Sequence, residues 1–156
     1  MLAADPDHSE ALPQIERLST TLERYSELVD VYQELAFKRD ASDISGRADL
    51  LSRAAKLFAG KLNNKRAAID AWKLVLNLDP DNRETAAPAA AALETLYTET
   101  GDVANLVRIL RQQAGWTSAS AARKQLLFRV AGLEEKSLGD TDAAVATLRS
   151  VLEFDS

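Results

Sequence analysis

Arg47–Asp79, RADLLSRAAKLFAGKLNNKRAAIDAWKLVLNLD, lies on Arg123–Asp155, RKQLLFRVAGLEEKSLGDTDAAVATLRSVLEFD, without a gap when the chain is shifted by 76 residues. Twelve of the 33 aligned positions are identical, among them Arg47/Arg123, Leu50/Leu126, Leu51/Leu127, Arg53/Arg129, Ala68/Ala144 and Asp79/Asp155. An ungapped match of that length marks an internal repeat, and internal repeats of this kind build stacked supersecondary units.

The match continues upstream at other offsets. Ile15, Leu18, Leu28, Val29 and Val31 fall on Leu93, Leu96, Leu106, Val107 and Ile109 at an offset of 78. Asp5-Pro6-Asp7 returns as Asp79-Pro80-Asp81 at an offset of 74. The change from 74 to 78 places four extra residues near Glu84–Ala87. Four residues are close to one helical turn, so the insertion nearly preserves a buried face. The return to 76 places a two-residue surplus of the first half in Lys38–Gly46, read as a loop. The chain therefore divides into unit 1, residues 1–78, and unit 2, residues 79–156, each expected to hold two helical hairpins.

Nothing alternates apolar and polar residues over a strand length, whereas helical spacing runs throughout. Helices are predicted near 9–20, 23–38, 47–62 and 65–78, then 83–99, 103–114, 119–137 and 141–154. Leu50, Leu51, Ala54, Leu57 and Phe58 form one apolar stripe, repeated by Leu126, Leu127, Val130 and Leu133. Ile69, Trp72, Leu74, Val75 and Leu76 form the facing stripe, with Ala68 leaving room for close approach. Asp-Pro-Asp at 5–7 and 79–81 stops one helix and caps the next, because proline disfavours helix in the residue before it and Asp caps helix starts. Gly101-Asp102, Asn63-Asn64 and Gly139-Asp140 are predicted tight turns. Pro13 is placed in a first helical turn, where its missing N–H costs little. Pro88 would kink a helix that starts at Asn82 and is harmless if Thr85 is the cap, which is the expected arrangement.

These residues resemble a tetratricopeptide-type repeat, whose helical hairpin carries a small residue, a later aromatic and a closing proline. Ala68, Trp72, Val75 and Pro80 match that second half, and Ala144, Leu148 and Val151 repeat it more weakly. Leu93, Tyr97, Gly101-Asp102 and Leu106 match the front half. Glu94 and Gln113 depart from it, standing where the family has small residues. The resemblance covers nearly the whole chain. It implies an all-α solenoid of antiparallel hairpins, a superhelix of about eight helices, with a surface that binds a protein or peptide. Stacked repeats normally end in polar caps. Leu2-Ala3-Ala4 and Glu153-Phe154-Asp155 are in the same repeat phase and neither is a clear cap, so the expectation is a fragment of a longer array, with end-to-end self-association through uncapped terminal helices.

Composition narrows the function. The chain has 156 residues, 46% hydrophobic and 28% charged, with 6 Gly and 4 Pro, which suits one packed domain and excludes a low-complexity chain. Zero Cys excludes a disulfide scaffold, a thiolate zinc site and a Cys nucleophile. A net charge of −5 argues against nucleic acid as partner, including a one-base-per-hairpin RNA reader. No apolar run approaches a membrane span. His8 is the only histidine and is read as a loop residue beside a helix cap, not as a catalytic base. Glu134-Glu135 is read as solvated charge, because adjacent helical residues point in different directions. Asp5/Asp7 and Asp79/Asp81 lack the further ligands of a calcium loop and are read as caps. No cofactor motif is present, and the inventory argues against an enzyme.

Candidate partner-binding residues remain. Arg53 and Arg129 recur, as do Arg47 and Arg123; they either form a ladder that grips partner carboxylates or pair with acidic residues of a neighbouring hairpin. Trp72 is expected in the core. Trp116, after Gly115 in a turn, is read either as packing over a helix junction or as a candidate anchor for a partner. The expected work is non-catalytic protein–protein interaction as a scaffold; the alternative is a structural spacer or oligomerisation segment of a larger protein.

Overall fold

The structure, a computed structural model, describes residues 6–155, with side chains described from 10 to 154. It is an all-α helical-repeat fold. Among the described residues there are eight helices and no strand: α1 (Pro6–Thr21), α2 (Tyr25–Lys38), α3 (Ile44–Gly60), α4 (Lys65–Leu78), α5 (Arg83–Thr100), α6 (Val103–Trp116), α7 (Ser120–Lys136) and α8 (Thr141–Asp155). The chain divides into two compact units, Met1–Leu78 and Asp79–Ser156. In each unit every helix packs on the next in the chain. Short connections force that neighbour packing and turn the chain back on itself.

The turns repeat in atomic detail. After α3 the Leu62 N–H donates to the Leu57 carbonyl at 2.9 Å and the Asn64 N–H to Phe58 at 2.7 Å. After α7 the Leu138 N–H donates to Leu133 at 3.0 Å and the Asp140 N–H to Glu134 at 2.8 Å. Asn64 and Asp140 then cap the next helix, accepting from the Ala67 and Ala143 amides at 3.0 and 2.9 Å. Each turn needs one left-handed residue, Asn63 (φ 47°) or Gly139 (φ 67°). The other hairpin turns match less well. Gly101 takes φ 72° and Asp102 caps α6, whereas at the same register unit 1 has Glu23 at φ 54° and Arg24, which makes no side-chain cap.

Some boundaries differ from the sequence expectation. Asn82, not Asp79 or Asp81, caps α5, its side chain accepting from the Glu84 amide at 3.0 Å; Thr85 is inside the helix. Pro88 is therefore interior, and α5 still runs on to Thr100. Pro13 is also interior, because α1 begins at Pro6. Asp43 caps α3, which begins at Ile44, three residues before the expected Arg47. Trp116 is the last residue of α6, and the turn follows it. The Asp5 reading and the side chains of Asp7 and His8 lie outside the described residues.

Packing follows the stripes. Ala68, Trp72, Val75 and Leu76 of α4 are buried with Leu50, Leu51 and Ala54 of α3. Leu74, expected in that stripe, is partly exposed, since 74 lies two residues from both 72 and 76 on a 3.6-residue helix. In unit 2, Val151, Leu127 and Ala114 form a buried cluster, with Leu126 and Phe154 packed against it.

Candidate functional site

The recurrent arginines are tied into their own units. In unit 1 the Arg53 guanidinium on α3 donates through Nη1 to Glu16 Oε1 on α1 at 2.7 Å, and its Nε lies 3.0 Å from Asp49 Oδ2. The Tyr32 hydroxyl on α2 donates to the same Glu16 oxygen at 2.7 Å. Three consecutive helices meet at one carboxylate. Burial, and after it the Glu16 carboxylate, push the Tyr32 phenol up to about 12. Burial works against the charge on Arg53, but Asp49 and Glu16 outweigh it, and its pKa is raised.

Unit 2 repeats the arrangement with a different middle residue. Arg129 on α7 pairs with Glu94 on α5, and Gln113 Nε2 on α6 donates to the other Glu94 oxygen at 3.1 Å. Glu16 and Glu94 share one register, as do Arg53 and Arg129. Glu94 and Gln113 are the two departures from the tetratricopeptide pattern, and here they are hydrogen-bonded to each other. Both arginines keep nearly half their side-chain surface in solvent, so a partner carboxylate would have to compete with Glu16 or Glu94 for the same donors.

A second polar cluster exists in unit 2. Glu134 on α7 is 3% exposed. Its Oε1 pairs with Arg111 on α6, and Thr147 Oγ1 on α8 donates to its Oε2 at 2.7 Å. Arg111 Nη2 also reaches Thr147 Oγ1 at 2.8 Å. This corrects the reading of Glu134 as solvated charge; only Glu135 is exposed. Adjacent helical positions do diverge, but Glu134 points inward, where Arg111 and Thr147 satisfy it. The repeat register gave no signal, because the matching positions in unit 1 are Gln33, Phe58 and Ala71. The Arg123 guanidinium stacks on the Phe154 ring at 4.5 Å, tying α7 to α8. At its register partner Arg47, the Nε is buried without a hydrogen-bond partner.

Trp72 is buried and Trp116 half-buried. Arg53 belongs to unit 1, Arg129 and Trp116 to unit 2, where the contacts of Arg129 run to Glu94. Among the described residues no three His, Asp or Glu side chains converge as a metal would need. No described helix is long and apolar enough to cross a membrane. The arrangement can hold helices together and present side chains.

What it presents is apolar. Phe37 on α2 and Phe128 on α7 are more than half exposed, as are Leu22, in the turn after α1, and Leu152 on α8. Sequence reading passed over Phe128 because its register partner is Ser52. The sequence matches no family model and no curated protein.

Proposed function

We propose that this chain is a non-catalytic protein-interaction module of a tetratricopeptide-like kind, binding a protein or peptide on its helical surface. The observation that carries the reading is the set of large apolar side chains held in solvent on rigid helices, Phe128 and Phe37 foremost. Exposed aromatic anchors on a preorganised scaffold are the side chains that supply binding energy at protein interfaces. Arg129 lies beside Phe128 in the chain and is half-exposed, so an acidic group next to an apolar anchor on the partner would complement this position. Trp116 is a secondary candidate.

A second reading, a structural spacer or oligomerisation segment, draws on the internal pairing of Arg53 and Arg129. The two separate in a quantitative capture experiment from cells of the source organism, comparing the chain with Phe128→Glu and with Arg53→Gln/Arg129→Gln. The interaction reading expects a stoichiometric partner that Phe128→Glu loses at unchanged helicity. Equal recovery by every variant, or recovery of nothing, overturns it in favour of the structural segment.

A further inference from the structure

We propose that the turn between α3 and α4 of unit 1 is a docking site for a short acidic segment of a partner protein. The proposal rests on the interaction-module reading and adds a surface separate from Phe128. From Leu50 to Ile69 the chain has Arg53, Lys56, Lys61, Lys65 and Arg66 and no acidic residue, although its net charge is −5. The register-matched stretch of unit 2, Leu126 to Val145, has Glu134, Glu135, Asp140 and Asp142 against Arg129 and Lys136. The two turns share their backbone hydrogen bonds and their capping position, so the bend itself does not require the cations.

Two of the cations stand where they work against the fold. α4 opens on Lys65-Arg66 and has no acidic residue in its first turn. The start of a helix carries partial positive charge, so cations there are unfavourable and acids favourable. α8 follows that rule, with Asp142 at the position of Arg66. A charge pattern that opposes its own helix, at a bend whose twin does without it, points to an anionic group outside the chain.

Three of the side chains are available to such a group. Lys56, Lys61 and Arg66 are exposed. Among the described residues none of the three forms an ion pair, not even Arg66 with Asp70 one turn further along α4. Arg53 is different, because Glu16 and Asp49 hold it. The Lys61 ammonium lies 5.5 Å from the centre of the Tyr25 ring, which positions it at the start of α2 without neutralising it. The Leu62 and Asn64 amides bond back to Leu57 and Phe58, so Lys61 and Arg66 flank one tight turn. Lys56 stands about 7.5 Å back along α3, at 1.5 Å per residue. A patch this short fits a few consecutive Asp or Glu side chains. A nucleic acid or an anionic bilayer would run beyond it over a chain of net negative charge, which repels it.

The test is fluorescence anisotropy of the chain with a fluorescein-labelled peptide alternating Glu and Ser, against a Gln-and-Ser peptide, at low and raised salt. The acidic peptide is expected to bind, the neutral one not, and salt to weaken the binding. Lys61→Ser/Arg66→Asp installs the unit 2 side chains and should lower the affinity about tenfold. Its helicity should be unchanged and its melting temperature equal or higher, since a cation leaves the start of α4. Lys56→Gln should lower the affinity by a smaller factor, and the reverse exchange Ser137→Lys/Asp142→Arg should raise it. Equal affinity for the two peptides, or equal affinity of wild type and double variant, overturns the proposal. So does tighter binding of a DNA oligonucleotide or of phosphatidylserine vesicles than of the acidic peptide at the same salt. Phe128→Glu is expected to leave the peptide affinity unchanged, so failure of the peptide to bind removes this site and leaves the capture experiment on Phe128, and the interaction reading, standing.

Discussion

At matched positions the two units solve the same packing problem with opposite chemistry. Unit 1 has Phe58, Ala71 and a buried Trp72 where unit 2 has Glu134, Thr147 and a partly exposed Leu148. Large apolar groups hold α4 in place. The described buried residues of α8 are smaller, Ala144, Thr147 and Val151, and the helix is tied at its middle by the Arg111–Glu134–Thr147 cluster. Unit 2 is hydrogen-bonded across its helices in two places, through Glu94 and through Glu134; the corresponding ties described in unit 1 centre on Glu16 alone. A repeat therefore preserves backbone geometry while its side chains exchange dispersion and hydrophobic burial for directional polar contacts.

The most damaging way to probe that contrast is truncation at position 72 and its register partner. Trp72→Ala is expected to lower unfolding free energy by about 4 kcal/mol, as for a buried aromatic that leaves a cavity. Leu148→Ala should cost under about 1 kcal/mol, because much of that side chain already faces water. Urea denaturation measures both, and equal losses would erase the distinction between the units.

Next in size is Arg111→Ala. It leaves the Glu134 carboxylate buried with only Thr147 as partner, and the expected loss is about 3 kcal/mol. The converse exchange sharpens the comparison. Arg111→Gln/Glu134→Phe/Thr147→Ala gives unit 2 the side chains of unit 1 and should be neutral or stabilising by about 1–2 kcal/mol, since apolar replacement of a buried ion pair commonly is. A triple variant as unstable as Arg111→Ala would show that the polar cluster is required for the packing of α8.

Glu23→Gly brings the turn of unit 1 towards that of unit 2. A non-glycine residue at φ 54° costs about 1 kcal/mol, so the variant should gain roughly that amount in the same denaturation assay. A loss would mean that the Glu23 side chain contributes more than its backbone strain removes.

The smallest expected effect is alkaline. The Tyr32 phenol has a folded pKa of about 12 against about 10 in an unfolded chain. Its neutral form therefore supports the fold fully below about pH 10, and that support is lost as pH rises through about 12. Gln113, the middle residue of the unit 2 arrangement, has nothing to titrate. The melting temperature of the wild type should fall further between about pH 9 and pH 11.5 than that of Tyr32→Phe. Parallel curves would contradict the contribution of the Tyr32 hydroxyl.

Much of the fold was legible because its determinants are local. The 3.6-residue spacing of Leu50, Leu51 and Ala54, the turns at Asn63 and Gly139, and the small residue Ala68 each act within a few residues of themselves. The missed boundaries have local competitors: Asn82 lies beside Asp81 and Thr85, all good caps, and only the completed turn selects among them. The site was less legible because it is made by residues far apart in sequence. Arg53 meets Glu16 across 37 positions and Arg111 meets Glu134 across 23. The available signal was the pair of motif departures, Glu94 and Gln113. Two polar side chains on adjacent helices are costly to cover singly and compatible if they bond to each other, as Gln113 and Glu94 do. Glu134 had no such signal, because register compared it with a phenylalanine.

The matched turns after α3 and α7 have a consequence for how such a chain can change. Their geometry is held by main-chain bonds and one short capping side chain, the same in both places. The stretch 57–67 is thus interchangeable with 133–143 as a ready-made joint. Recombination or gene conversion between the two halves would deliver a working bend whichever copy it drew on, and the helices on either side remain free to diverge into new surfaces.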